Sequence, residues 1–151
     1  MDANIDRNRL HVSGVAGLYT ALAPLSYTLI RVALGLILIP HGYAKLFLND
    51  AVPASRNFVL FGWAYPLAWA YFIGVVEFFG GILLALGLFT RVVAAAFVIE
   101  MSVICFAVLW PNWSWGRRGM EYALFMGIVA LAIFFRGGGR WSLDNLMRKE
   151  F

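Results

Sequence analysis

Four long apolar stretches constrain this chain more than any other feature of its sequence. A helix needs about 20 apolar residues to cross the hydrocarbon core of a bilayer, and each stretch approaches that length. The stretches cover residues 25–48, 67–88, 92–110 and 119–135. The sequence therefore predicts an all-α integral membrane protein, built as a four-helix bundle.

The composition agrees with a membrane protein and argues against other classes. Of the 151 residues, 62% are hydrophobic and 13% are charged, whereas about 25% of the residues in a soluble domain are charged. The net charge is +4, but the twelve Lys and Arg residues are scattered, so no nucleic-acid partner is expected. The single cysteine, Cys105, excludes an internal disulfide and any CxxC motif.

The segments outside the spans divide the chain into three parts. Residues 1–24 are predicted to be a cytoplasmic segment, either with a short helix on the membrane surface or as a loosely ordered tether. Residues 25–135 form the membrane domain, and residues 136–151 form a cytoplasmic tail. Between the first two spans, a short surface helix is expected to start at Ser55 and end at Gly62, and Pro66 opens the next span. Thr90 is the expected N-cap of the third span.

The distribution of positive charge predicts the orientation. Four spans place both termini on the same side, and that side collects seven basic residues, whereas the other side has only Arg56, Arg117 and Arg118. Basic residues concentrate on the cytoplasmic side of bacterial membrane proteins. Both termini are therefore predicted to be cytoplasmic.

Six ionisable groups inside the predicted spans are the candidate site. A charge at the bilayer centre costs roughly 2.5–3.5 kcal/mol, so these groups are expected to face one another or a wet cavity. They are Arg31, His41, Lys45, Glu77, Glu100 and Glu121. Two interpretations remain open: the charges lock the bundle together, or they form a functional site.

The depth of each group in its span predicts how the six are arranged. An outer polar cluster is expected from His41, Lys45, Glu77 and Glu121. Arg31 lies in the inner half of the first span, and Glu100 can reach toward either group. Aromatic side chains beside His41 are candidates for a slot that accepts a flat ring.

Small residues mark where helices are expected to approach closely. Gly74, Gly81 and Ala85 share one face of the second span, and Ala123 with Gly127 forms a small-xxx-small pair in the fourth. Such residues let the backbones of membrane helices touch. They are predicted to be packing contacts.

Short motifs in series relate the chain to a known family. They are RVALG at 31–35, HGYAKL at 41–46, VEFFGG at 76–81, ALGLFTR at 85–91, EYAL at 121–124 and GRWSLD at 139–144. With these motifs the chain resembles the DoxX family of small four-helix bacterial membrane proteins. The family positions that map onto this sequence are Arg31, His41, Gly42, Lys45, Glu77, Gly81, Arg91 and Glu121. Glu100 lies outside the motifs.

The resemblance implies a multi-pass protein of the bacterial inner membrane. Some members of the family are subunits of thiosulfate:quinone oxidoreductase, and others are membrane anchors for oxidative-stress enzymes. The expected function is therefore that of an accessory or anchor subunit of a membrane redox complex, in contact with the lipid bilayer and with other membrane protein subunits. In that role the polar cluster only holds the bundle together.

The alternative is a quinone-interacting subunit of an oxidoreductase. His41 and Lys45 would then donate hydrogen bonds to the quinone, and Glu77 and Glu121 would relay protons from the outer face. No intrinsic redox centre, metal or cofactor is expected, and a quinone is the one candidate for a bound cofactor. A small transporter is a third possibility, which the lack of an inverted repeat with broken helices disfavours.

Overall fold

The computed structural model describes residues 10–149, except the side chains of Ser13 and Trp115, so the predicted polar start of the chain, residues 1–9, lies outside it. The described residues are helical and contain no strand, which confirms the all-α prediction. The helices are α1 (Ala16–Phe47), α2 (Ala51–Leu60), α3 (Pro66–Leu86), α4 (Thr90–Val103), α5 (Glu121–Arg136) and α6 (Leu143–Leu146). The π-helical segment Ile104–Leu109 continues α4.

Among the described residues, three helices are long and apolar enough to cross a membrane. These are α1 with 32 residues, α3 with 21, and α4 together with its π-helical continuation, Thr90–Leu109, with 20. Helix α5 has 16 residues, which corresponds to about 24 Å and falls short of the roughly 30 Å of hydrocarbon. Four spans and cytoplasmic termini therefore stay predictions.

The predicted division of the first helix at residue 25 is not observed. Helix α1 begins at Ala16 and passes through Pro24 without a break. A proline inside a helix loses one hydrogen bond to the preceding turn. The hydroxyls of Thr20 and Thr28, on either side of the proline, donate to the carbonyls of Ala16 and Pro24, four residues earlier in each case.

The surface helix between the first two spans is longer than predicted. Helix α2 begins at Ala51 rather than at Ser55, whose hydroxyl donates to the Val52 carbonyl instead of capping a helix. Its end agrees with the prediction, because the chain turns at Gly62, where φ is +68°. Pro66 opens α3 as expected.

Glycines bring the backbones of α1 and α3 into contact. A Cβ atom on Gly42 would lie 2.3 Å from the Phe78 nitrogen, and one on Gly35 would lie 2.5 Å from the Gly81 carbonyl oxygen. On the other side of the molecule, Gly127 of α5 packs against Met101 of α4. The predicted packing role of these small residues is confirmed. The helices enclose a core that includes Leu34, Leu38, Leu84, Phe97, Met101, Met126 and Ile133.

One end of the molecule is fastened by Arg31. This side chain is 1% exposed, and its guanidinium donates hydrogen bonds to the carbonyls of Leu84, Ala85 and Trp141. The bonds to Ala85 and Trp141 measure 2.7 and 2.6 Å. Arg31 thus ties α1 to the last turn of α3 and to the segment that follows α5.

Asp144 fastens the start of α4 at the same end. Its carboxylate accepts hydrogen bonds from the backbone N–H groups of Phe89 and Thr90, at 2.8 and 2.9 Å. The prediction that Thr90 is the N-cap was wrong, because Thr90 is the first residue of the helix and Asp144 provides the cap from the tail. Arg91 then donates to the last carbonyls of α5, at Phe134 and Phe135. We call this region, with Arg31, Arg91 and Asp144, the arginine end.

Candidate functional site

An ion pair between the half-buried Lys45 and the buried Glu77 joins α1 and α3 near the other end of the bundle. The Lys45 ammonium donates to both carboxylate oxygens of Glu77, at 2.8 and 2.5 Å, and the two side chains are 17% and 5% exposed. Gly74 makes this contact feasible, because a Cβ atom there would come within 2.9 Å of the Lys45 Cβ. The lysine side chain therefore crosses α3 at Gly74 and reaches Glu77 one turn further on.

Glu100 of α4 lies beside this ion pair. It is 5% exposed, and it interacts electrostatically with both Glu77 and Lys45. Within the described part of the chain, neither oxygen of its carboxyl group has a partner at hydrogen-bond geometry, although the Glu77 carboxyl lies close enough to interact with it directly. Buried polar groups in native proteins are nearly always paired, so Glu100 has bonding capacity available for a ligand.

A cavity of about 500 Å³ opens beside Glu100 and the ion pair. Its inner wall carries Lys45, Glu77 and Glu100. Most of the remaining lining is apolar and includes five aromatic side chains, Phe58, Phe61, Trp63, Trp69 and Phe72. We call it the aromatic cavity.

The aromatic rings of this cavity form a continuous chain of contacts. The ring centroids of Trp63 and Trp69 are 5.0 Å apart, and those of Trp69 and Phe72 are 5.8 Å apart, both with edge-to-face geometry. Phe72 and Ile99, which also line the cavity, are exposed. The aromatic cavity therefore opens sideways, between helices that are expected to lie in lipid.

A second cavity, of about 660 Å³, lies on the other side of the ion pair. His41, Arg56, Arg118 and Tyr122 contribute polar groups to its wall, together with Lys45. Its apolar lining includes buried residues of three helices, Leu38, Met101, Ala123 and Met126. We call it the basic cavity.

The ion pair is part of the wall between the two cavities. The residues that line both cavities are Lys45, Asn57, Glu77, Ile104 and Val108. Two of them, Ile104 and Val108, belong to the π-helical segment, and π-helical turns are frequent at functional sites. A substitution in the ion pair would therefore change the lining of both cavities.

The structure brings together three of the six predicted site residues and separates the others. Lys45, Glu77 and Glu100 converge, whereas Arg31 belongs to the arginine end. His41 is exposed and lines only the basic cavity. Glu121 is the half-buried first residue of α5, and its backbone N–H donates to the Trp113 carbonyl.

Sequence reasoning missed two parts of the site. The aromatic slot was expected beside His41, but the aromatic cavity lies on the opposite side of the ion pair. Arg56 and Arg118 entered the prediction only as surface charges, although they line the basic cavity. The spacing of aromatic residues from Phe58 to Phe72, across the connection between two spans, was the signal available in the sequence.

The described residues contain no group of three or more His, Cys, Asp or Glu side chains arranged to hold a metal ion. Fold and site together define a helical membrane protein in which a buried ion pair separates two cavities.

The DoxX family model matches residues 26–110, more than half of the chain, and the protein belongs to the DoxX family. The matched region runs from α1 to the π-helical segment. It includes the ion pair and Glu100 and leaves out α5.

Two relatives extend the similarity over most of the chain. An uncharacterized membrane protein of Mycobacterium tuberculosis is 30% identical over 143 residues, covering 86% of each chain. An uncharacterized protein of Haemophilus influenzae is 30% identical over 135 residues, covering 84% of this chain and 94% of its own. No solved structure matches the chain significantly.

Proposed function

We propose that this DoxX protein is a quinone-binding subunit of a redox complex in the bacterial inner membrane, and that the aromatic cavity receives the quinone ring. One observation carries the proposal: aromatic rings form one side of this cavity, and a half-buried cation and the buried carboxyl of Glu100 form the other. Ligand pockets of about 300–1,000 Å³ with a few polar groups in an apolar lining are typical of small-molecule sites.

The chemistry of the cavity fits a quinone. A quinone ring is flat and apolar with two carbonyl oxygens, and aromatic side chains such as Trp63 and Trp69 offer stacking or edge contacts to such a ring. The lateral opening past Phe72 and Ile99 suits an apolar tail that stays in lipid. When bound, a quinone supplies the electron-accepting group, and a partner subunit would supply the electrons.

Each polar group on the inner wall has a role in this proposal. Lys45 is the hydrogen-bond donor for a ring carbonyl, and Glu77 holds the ammonium in position. Glu100 holds or releases a proton at its carboxyl group within the cavity. His41 and Glu121, which the sequence nominated for quinone contact and proton relay, lie outside the aromatic cavity and take no part in this proposal.

The proposal is tested by quinone-dependent quenching of tryptophan fluorescence. The protein in phosphatidylcholine nanodiscs is titrated with decylubiquinone, and saturable quenching is expected for the wild type. The double variant W63F/W69F should lose most of the saturable component. The matched control W110F/W113F removes two exposed tryptophans that do not line the cavity, and it should keep that component. Equal saturable quenching in both double variants would contradict the proposal.

A second candidate is the accessory or anchor subunit without a quinone site. The observation that favours it is an apolar stripe along the short helix α5, where Phe125, Ile128 and Phe135 are exposed. A helix shorter than the bilayer core is accommodated by local thinning or by association with other proteins. The stripe is then the surface against which a larger enzyme packs.

Purification at fixed stoichiometry tests this second candidate. A larger membrane enzyme should co-purify with the wild type and be lost from F125S/I128S. The control F79S, at another exposed phenylalanine on α3, should retain the enzyme. Isolation of the wild type solely as a monomer or homo-oligomer would contradict an anchor role.

A further inference from the structure

We propose that the basic cavity binds an anionic amphiphile, a carboxylate head on a single apolar chain, as in a fatty-acid anion. The proposal concerns a cavity separate from the aromatic one and does not depend on quinone binding. It follows from the arrangement of charge and apolar surface in this cavity.

Positive charge dominates the polar part of the basic cavity. Its lining includes Lys45, Arg56 and Arg118 but only one carboxylate, Glu77, which is already paired with Lys45. Within residues 10–149, the side chains of Arg56, Arg118 and His41 make neither a hydrogen bond nor an ion pair. Arginine presents a planar fork of donors that matches a carboxylate. Two arginines thus remain available for an anionic head group.

These basic residues come from three separate parts of the fold. His41 lies on α1, Arg56 on α2, and Arg118 in the connection before α5. Hydrogen bonds within that connection hold its two ends together, because the N–H groups of Met120 and Glu121 donate to the carbonyls of Asn112 and Trp113. Arg118 is therefore held at the cavity by a connection with its own hydrogen bonds.

A second part of the cavity lining is apolar and buried. Leu38, Met101, Ala123 and Met126 line it from three helices, and all four are buried. Methionine side chains adapt to apolar ligands of different shapes. A small inorganic anion would use only the arginines, and a neutral chain would use only the apolar surface. A molecule with both parts matches the whole cavity.

The proposal is tested with octanoate carrying a 13C label at its carboxyl carbon. Binding to the protein in phosphatidylcholine nanodiscs is followed by NMR, with protein-free nanodiscs subtracted. Saturable binding is expected for the wild type. The variant R56Q/R118Q should bind octanoate at least tenfold more weakly. The control R117Q removes the neighbouring arginine, which is exposed like Arg118 but does not line the cavity, and should bind like the wild type.

Two further ligands separate the contributions of head and chain. Acetate and octanol should each bind at least tenfold more weakly than octanoate. Acetate binding as tight as octanoate would overturn the proposal, since a free-anion site would suffice. Equal octanoate binding by the wild type and by R56Q/R118Q would overturn it as well. Equal thermal unfolding temperatures of the two proteins would show that the double variant is folded.

Discussion

The two ends of this bundle use buried charge in different ways. At the arginine end, Arg31 and Asp144 bond to backbone groups at helix termini and in the tail. About 21 Å further along α1, Lys45 pairs with a side chain instead, and Glu100 beside it has no hydrogen-bond partner within residues 10–149. A charge that satisfies backbone groups holds the fold, whereas a charge that faces a cavity is available for a ligand.

The packing of the helices explains the difference. At Gly35 and Gly81 the backbones of α1 and α3 touch, and the tail folds over the arginine end through Asp144. At the other end, α2 and the connection before α5 lie over the bundle and leave two cavities beneath them. Removal of the bonding groups at the arginine end should therefore lower stability, whereas removal of the whole ion pair at the cavities should affect binding more than stability.

The largest effect on stability is expected from Arg31→Met. The substitution removes the guanidinium from three carbonyls, of which that of Leu84 keeps a backbone donor, the N–H of Gly87. The loss of these charged hydrogen bonds costs about 3–5 kcal/mol in the free energy of unfolding. Unfolding in mixed micelles with increasing SDS measures this loss. The control Arg31→Lys keeps the charge without the fork of donors and should lose less. Equal stability of Arg31→Met and the wild type would show that Arg31 does not stabilise the fold, and would contradict the difference between the two ends.

Lys45→Met should have the next largest effect. It leaves the Glu77 carboxylate buried without its cation, and breaking a buried pair in this way costs about 3 kcal/mol. The same SDS unfolding series measures the change. Lys45→Arg serves as the control that keeps a cation, and a loss as large as that of Lys45→Met would show that the cation is not what matters.

A smaller effect is expected from Asp144→Ala. Loss of the cap on the first N–H groups of α4 should cost about 1–2 kcal/mol in the free energy of unfolding. Asp144→Asn keeps one acceptor oxygen and should retain part of the stability. If both variants unfold like the wild type, the tail does not fasten α4.

The smallest effect on stability is expected from Glu100→Gln. Within the described residues, the carboxyl oxygens have no hydrogen bond to lose, so the free energy of unfolding should change by less than about 1 kcal/mol. Decylubiquinone affinity should nevertheless fall, because the proton-carrying group is removed. If the variant keeps its affinity for decylubiquinone but loses much of its stability, Glu100 stabilises the fold and does not serve the ligand.

Local sequence patterns predicted the parts of the fold that depend on local physics. The lengths of the apolar stretches predicted the three helices that can cross a membrane, and the small residues predicted the close contact between α1 and α3. The depths of Lys45 and Glu77 in their spans predicted that the two side chains lie close together, because charged side chains inside the bilayer must face one another. These features require only helical geometry and the cost of burying charge.

The parts that sequence reasoning missed depend on contacts between distant segments. The cap from Asp144 joins residues more than 50 positions apart, and no pattern near Thr90 indicates it. His41 does not line the aromatic cavity, because the aromatic side chains of α2 and of the connection to α3 lie beside Ile99 and Glu100 of α4, and hydrophobic periodicity does not determine this contact. The apolar stretch placed the start of the first span at residue 25, but α1 begins at Ala16 and continues through Pro24.

The free energy of unfolding of the double variant K45M/E77M tests the division between the two ends most directly. Replacing both members of a buried ion pair by apolar side chains is often neutral or stabilising. The double variant should therefore recover the loss of Lys45→Met and unfold within about 1 kcal/mol of the wild type. A double variant as unstable as Arg31→Met would show that the ion pair holds the fold, which would contradict its assignment to the cavities.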